Sequence, residues 1–474
     1  MKRKTKIIAT IGPSSANEKT LKKFKEYGVN CLRFNTAHGD IETHKKWIKL
    51  SRKIADFCLL IDVKGPEIRI RTENFQIKKD EEKKFYFKTT KPYFSYDFYE
   101  KINVKDTIFF DNGQIEGKVT EKNGDSITVK FFEDCLIKPN KGVNIPNKTL
   151  GIPSLSKRDK EYIEFAKEQN IDYIALSFVR YKKDVEDLKK LIKGTEIGII
   201  SKIENHQGIE NIDEIIDSSD GIMIARGDLG VEIPEQRIPI LQKNIIQKCN
   251  QKAKISIVAT QMLESMIYNK IPTRAEVSDV ANAILDGADV VMLSGETAAG
   301  KYPEKSVRVM DKVAREVEDE TPNKVDMQTT HNVSEEMSKA AFSVFKKTAA
   351  VKLVTPTRSG YSARLISRFR LKKTIISITD NSTTKRKLEL VWGVKPIYTN
   401  TFPEVALITS LTIFLKRKQL IKDSECIVYF AGVKTLKEQV SNLLEIHYVK
   451  DLLNHHKNYV EEESKKLTKT LLRK

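Results

Sequence analysis

Two stretches decide the fold: Ile197-Gly198-Ile199-Ile200-Ser201-Lys202-Ile203-Glu204-Asn205, and Gly221-Ile222-Met223-Ile224-Ala225-Arg226-Gly227-Asp228-Leu229-Gly230. Each is a short apolar run that ends in polar residues, the pattern of a parallel strand buried on both faces. Side chains alternate along a strand, so Lys202 and Glu204 face the same way. Neighbouring parallel strands lie ~4.8 Å apart, which brings Asp228, read as ending the next strand, within reach of Glu204. One lysine and two carboxylates at adjacent strand ends suit a divalent metal held together with substrate oxygens. A buried ion pair at a barrel rim is the purely structural reading, and the second carboxylate weighs against it.

Working outward, eight segments share this character: Lys6–Ile11, Cys31–Asn35, Cys58–Val63, Tyr173–Phe178, Ile197–Ile203, Gly221–Ala225, Ile255–Thr260 and Asp289–Leu293. Amphipathic helical stretches such as Lys157–Gln169, Lys182–Lys193 and Pro239–Lys252 separate most of them. Strand–helix alternation of this kind predicts a closed (β/α)8 TIM barrel. The rhythm breaks between Lys64-Gly65-Pro66-Glu67 and Ser156. There the chain alternates at Thr107–Phe110 and Ser126–Phe131 and turns at Asp111-Asn112-Gly113 and Lys122-Asn123-Gly124-Asp125. This reads as a small β domain inserted after the third strand, a lid over the functional end of the barrel.

After Met310 the character changes. Asp319–Asn332 reads as a polar linker and Met337–Lys347 as a helix, with strands at Val351–Pro356, Thr374–Thr379 and Cys426–Phe430. The expected domains are a barrel from 1–67 and 153–325, an inserted β-barrel lid at 68–152, a C-terminal α/β domain at 326–449 and a charged helical tail at 450–474.

Composition narrows the class. The 474 residues are 40% hydrophobic and 31% charged, ordinary for a globular protein. No apolar run approaches a membrane span, and Ile7 to Ile11 is too short for a signal segment. Cys31, Cys58, Cys135, Cys249 and Cys426 form no Cys-x-x-Cys pair, which predicts reduced thiols and a cytoplasmic location. The net charge of +19 raises nucleic-acid binding, but the lysines are spread along the chain, so no specific nucleic-acid role and no membrane role is expected.

Further motifs surround the opening pair. The glycines of Arg226-Gly227-Asp228-Leu229-Gly230 expose backbone amides suited to a carboxylate or phosphate. Thr260 stands at the mouth of the seventh strand, where a local cap is the commoner role. Thr273 and Glu276 form a capping box, with Gly287 as the stop. Arg33 and Asn35 share a face at the end of the second strand. Arg33 can fork onto a phosphate, though a lone arginine is more often an ion pair.

In order along the chain, Lys6-Ile7-Ile8-Ala9-Thr10-Ile11-Gly12-Pro13, Lys64-Gly65-Pro66-Glu67-Ile68-Arg69, Ser201–Asn205, Ala225–Gly230, Ala259–Met266, Pro272–Glu276, Ser278–Asn282 and Met292–Thr297 closely resemble the pyruvate kinase family. The resemblance covers roughly residues 4 to 449. It implies a barrel with a β lid and a C-terminal α/β domain, and transfer of the phosphoryl group of phosphoenolpyruvate to ADP, giving pyruvate and ATP.

It further implies that Glu204 and Asp228 hold Mg²⁺, or Mn²⁺ in its place. The Gly227 and Asp228 amides and Thr260 would hold the substrate carboxylate, and Arg33 would grip the phosphate. Lys202 would stabilise charge as the phosphoryl group moves. Asn35, His38, Arg69 and Lys141 would face the nucleotide. The K⁺ site would use Asn35, Asp62 and the Val63 carbonyl, but the family's usual serine is Ala37 here, so K⁺ stimulation with low affinity is expected. Glu67 supports that dependence, because members needing no K⁺ tend to carry lysine there.

Thr357, Arg358, Ser359, Gly360 and Ser362 form a candidate phosphate loop for an effector. Ala431–Ser441 carries one glycine, which argues against strong activation by fructose 1,6-bisphosphate. A homotetramer is implied by resemblance alone. The other readings are a different Mg²⁺-dependent pyruvate or phosphoenolpyruvate barrel enzyme, an aldolase or lyase, and a non-catalytic basic relative that binds nucleic acid.

Overall fold

Branched apolar residues build the eight strands that close the barrel: Lys6–Ile11, Cys31–Asn35, Cys58–Asp62, Tyr173–Leu176, Gly198–Ile203, Gly221–Ala225, Ile255–Ala259 and Val290–Leu293.

 The seventh of these strands is Ile255–Ala259, and all eight run parallel. The computed structural model describes residues 3–87, 90–111, 113–146, 148, 150–323, 325–327, 332–400, 407–432 and 440–455. All eight expected barrel strands are present. Three end one or two residues before their expected bounds, and two, Gly198–Ile203 and Val290–Leu293, begin one residue after them. The strand interiors are buried throughout, as expected where helices cover a parallel sheet.

The helices between them follow sequence signals. Ser156 and Asp159 form a capping box at Lys157–Glu168, and Thr273 and Glu276 form another at Arg274–Leu285. Among the described residues no helix is long and apolar enough to cross a membrane.

The insertion after the third barrel strand is itself a closed barrel of seven strands. Around it run Ser126–Phe131, Glu82–Tyr86, Tyr93–Phe94, Ile68–Arg71, Gly142–Asn144, Thr107–Phe110 and Ile115–Asn123. Phenylalanines fill it, with Phe85 at ring distances of 5.3 Å from Phe110, 5.6 Å from Phe94 and 6.2 Å from Phe131. The strands expected at Thr107–Phe110 and Ser126–Phe131 have those bounds. Asp111 and Gly113 both take left-handed backbone at the expected turn, while Asn112 lies outside the described residues.

The barrel and lid together make one compact unit, Ile7–Ala314, and the remaining described residues make a second. The second unit holds a five-stranded sheet in the order Val394–Tyr398, Ile375–Thr379, Ala350–Pro356, Cys426–Ala431 and Leu443–Tyr448, the last antiparallel. The two edge strands were not expected from sequence. The change of character placed after Met310 comes later, because the helix Pro303–Val317 continues through it and Glu318–Glu320 adds a 3-10 turn. The tail is helical as far as the described residues reach, to 455, and Leu452 and Leu453 pack on this unit's core. Leu467, Leu471 and Leu472 lie outside the described residues, as do 433–439 of the glycine-poor segment.

Candidate active site

Lys202 is the centre of the barrel mouth. Its Nζ stands 2.9 Å from Glu204 Oε1, 3.3 Å from Asp62 Oδ1 and 2.8 Å from Ser177 Oγ. Strand register explains the meeting. Leu176 pairs with Ser201 and Asp62 with Ala175, so the third, fourth and fifth strands bring Asp62, Ser177 and Lys202 to one level. Arg33 enters from the second strand, donating from Nε to Asp62 Oδ2 at 2.7 Å and from Nη1 to Thr10 Oγ1 at 2.9 Å. Arg33, Asp62, Lys202 and Glu204 are all buried.

The charges set one another. Burial works against a charged Lys202, but Asp62 and Glu204 outweigh it and hold the ammonium above the ordinary lysine range. Burial would also raise Asp62, yet Lys202 and Arg33 hold its carboxyl below the usual value. Glu204 goes the other way. Burial, together with the charge of Asp228, pushes it up to about 7, although Lys202 and the Phe178 amide oppose the rise. That amide donates to Glu204 Oε2 at 2.7 Å.

Asp228 requires a correction. The strand stops at Ala225, and Asp228 lies in the first turn of the helix Arg226–Glu232 instead of ending the strand. Gly227 stands in the same first turn, so the glycine motif opens a helix as its sequence suggests. Its amide is also engaged, donating to Thr260 Oγ1 at 2.8 Å while that hydroxyl donates to the Ala259 carbonyl at 2.6 Å. The Asp228 amide belongs to the first turn, where intrahelical acceptors are missing.

Thr260 and Gln261 both take positive φ, 67° and 53°. A β-branched residue in that region is strained, and such strain persists only where surroundings enforce it. Arg226 enforces it here. Its Nη2 donates to the Thr260 carbonyl at 2.8 Å and the Gln261 carbonyl at 3.1 Å, while Asp279 holds the guanidinium in a bidentate pair at 2.7 Å.

The donor sets for metals differ in quality. Glu204 Oε1 is buried with no hydrogen bond beyond its ion-pair contact. With Asp228 it offers the hard oxygens that a divalent cation takes, and two carboxylates leave positions for substrate. Among the described residues no group of three or more acidic, cysteine or histidine side chains forms a self-contained metal cage. The K⁺ set fits less well. Asn35 Oδ1 accepts from the Ala37 amide at 3.1 Å, the Val63 carbonyl accepts from Ser177 at 2.7 Å, and Asp62 is committed to two cations. Ala37 adds no oxygen.

The expected nucleotide residues divide. Asn35 sits beside Asp62 in register, and His38 is exposed on the following loop. Arg69 and Lys141 form a second cluster in the lid. Arg69 pairs with Glu67 at 2.6 Å, and Glu67 also meets Lys64 at 3.3 Å. Lys141 pairs with Asp111 at 2.7 Å.

In the other unit, Thr357–Ser362 follows a strand and opens a helix. Gly360 donates to Thr357 Oγ1 at 3.0 Å, Ser362 meets Ser441 at 2.6 Å, and Arg358 lies 3.7 Å from Asp380.

Sequence reasoning missed Ser177, Thr10 and the bracing role of Arg226. Ser177 had a usable signal, a hydroxyl at the end of an apolar strand. Gly65 supports its placement: at φ 73° it lies so close that an added Cβ would stand 2.9 Å from Ser177 Cβ.

Two family models match the chain, pyruvate kinase barrel domain over residues 2–307 and pyruvate kinase alpha/beta domain over residues 335–447. A pyruvate kinase of Sporosarcina psychrophila is 38% identical across 95% of this chain and 81% of its own length. One from Clostridium perfringens is 37% identical across 94% of this chain and its whole length. A crystal structure of a pyruvate kinase from Cryptosporidium parvum superposes with a TM-score of 0.87 at 34% identity, covering 94% of this chain and 96% of that one. The chain therefore belongs to the pyruvate kinase family, whose members are phosphotransferases.

Proposed function

We propose that the chain transfers the phosphoryl group of phosphoenolpyruvate to ADP, giving pyruvate and ATP, and that Lys202 is its catalytic residue. The observation that carries this reading is a buried ammonium held at 2.8–3.3 Å by three partners and kept charged by two of them. A fixed cation of this kind stabilises charge on a phosphoryl group in flight and on the enolate left behind. It is a poor general base, because its proton is held above the ordinary lysine range.

Arg33, already oriented by Asp62 and Thr10, grips the substrate phosphate. The Asp228 amide and Thr260 hold its carboxylate, with Thr260 turning its hydroxyl from the Ala259 carbonyl; Gly227 supports Thr260. Glu204 and Asp228 would hold Mg²⁺, which when bound supplies positive charge between substrate oxygens and orients them. Asn35, Asp62 and Val63 offer K⁺ an incomplete set, so K⁺ acts weakly and no step is assigned to it.

Asn35, His38, Arg69 and Lys141 receive the nucleotide, and the last two exchange their carboxylate partners for phosphates. The 357–362 loop would take a phosphate-bearing effector other than fructose 1,6-bisphosphate. The working form is a cytoplasmic homotetramer. For the lid we keep the limits read from the sequence, 68–152.

The test is an ADP-dependent assay of pyruvate formation with Lys202→Met. Turnover should vanish while phosphoenolpyruvate still protects the protein thermally; normal turnover would overturn the reading.

A further inference from the structure

The helix Arg226–Glu232 does more than carry Asp228, because two lid segments rest on its far end. Asn144 closes the lid strand Gly142–Asn144, and its Nδ2 donates to Glu232 Oε1 at 3.4 Å. Gly113, in left-handed backbone at φ 83°, lies so near Val231 that an added Cβ would stand 3.2 Å from its Cγ1. The two segments are joined within the lid. Val143 pairs with Phe110, Asp111 donates from its amide to the Gly142 carbonyl at 3.0 Å, and Lys141 closes the join through its 2.7 Å pair with Asp111.

Asp228 and Glu232 are four residues apart in one helix, so they project from the same face, one turn apart. We propose that Glu232 is a positioning residue: with Asn144 it seats the lid on the Asp228 helix and so fixes where Lys141 stands relative to Asp228.

The proposal rests on the assignment of Lys141 to nucleotide and Asp228 to metal. The seat suits a lid that must also open. A 3.4 Å contact is long for a hydrogen bond and cheap to break. It lies beside a cavity of about 110 Å³ at the root of the lid, lined by Ile68, Val143, Ile145, Asn205 and His206 as well as Glu232. Burial there pushes the Glu232 carboxyl up to about 7, with the Asn144 contact opposing the shift.

The experiment is steady-state kinetics on the full chain with Lys141→Met, Glu232→Ala, Glu232→Gln, Asn144→Ala and the Asn144→Ala/Glu232→Ala double variant. Lys141→Met should raise the KM for ADP by about tenfold or more. Glu232→Ala should raise it about fivefold, with kcat and the KM for phosphoenolpyruvate changed less than about twofold. Glu232→Gln keeps the acceptor and should restore most of the loss. The double variant should match Glu232→Ala, since both changes break one contact.

An unchanged KM for ADP in Glu232→Ala, with Lys141→Met impaired, overturns the seat. Equal rises in both KM values also overturn it, because Glu232 would then only be holding the helix together. If Lys141→Met leaves the KM for ADP unchanged, the nucleotide assignment fails first and the seat falls with it.

Discussion

The barrel mouth and the lid both present a cation beside a carboxylate, but the two pairs are built differently. At the mouth, the side chains of Lys202 and Asp62 are 11% and 2% exposed, and Ser177, Glu204 and Arg33 surround them. In the lid, Lys141 and Asp111 are 38% and 22% exposed and meet through one contact. A desolvated, multiply held charge cannot relax when a partner is lost, whereas a half-exposed pair is worth little and exchanges easily. On the proposed reading, the mouth is preorganised for the reacting group and the lid is free to trade partners when nucleotide arrives.

The largest expected effect tests the fixed side. Lys202→Met should lower kcat by at least about a thousandfold, the scale of losing a principal electrostatic group. Pyruvate formation with ADP measures it, and a loss under tenfold would show that the mouth's charge is not decisive. Next comes Gly65→Ala, whose Cβ must displace Ser177 and which takes the left-handed backbone less readily than glycine. It should lower kcat roughly tenfold or more by shifting the Lys202 ammonium.

Smaller effects are expected on the exchangeable side. Asp111→Ala should change folding stability by less than about 1 kcal/mol in denaturant titration, because the pair it breaks is half-exposed. A larger loss would make the lid pair structural.

The smallest effect on activity concerns His44, which belongs to neither pair. Burial pulls its imidazole from 6.5 down to about 4, and its Nδ1 meets Tyr162 at 3.0 Å. The unfolded chain therefore binds a proton that the folded chain refuses. Stability from the neutral ring is complete above pH 6.5 and is lost as pH falls from there toward 4. His44→Phe should flatten melting temperature against pH across that window while leaving turnover at neutral pH nearly unchanged.

Much of this was legible in the sequence because it depends on short periods. Alternation of two put Lys202 and Glu204 on one face, and branched apolar runs marked all eight barrel strands. Asp228 was misplaced by a few residues because glycine beside a strand suggests a turn, while here the first helical turn absorbs it. The positive φ of Thr260 and Gln261 left no trace, since that conformation is enforced by a distant group, here the Arg226 guanidinium. Val394–Tyr398 was missed because Pro396 argues against a strand; at a sheet edge its missing N–H costs no pairing. The lid seat was invisible because Asn144 and Glu232 meet only through tertiary structure.

The lid's closure on itself has a consequence for how freely it can swing. An open sheet that moves away from its support bares a row of unpaired backbone groups, an invitation to adhere to other chains. Seven strands joined in a ring offer no such row, and the phenylalanines inside stay dry in every orientation. A lid that opened would therefore bare none of the ring's backbone groups; the short two-stranded sheet of Phe75–Ile77 and Cys135–Ile137 is the part of the lid that keeps open edges.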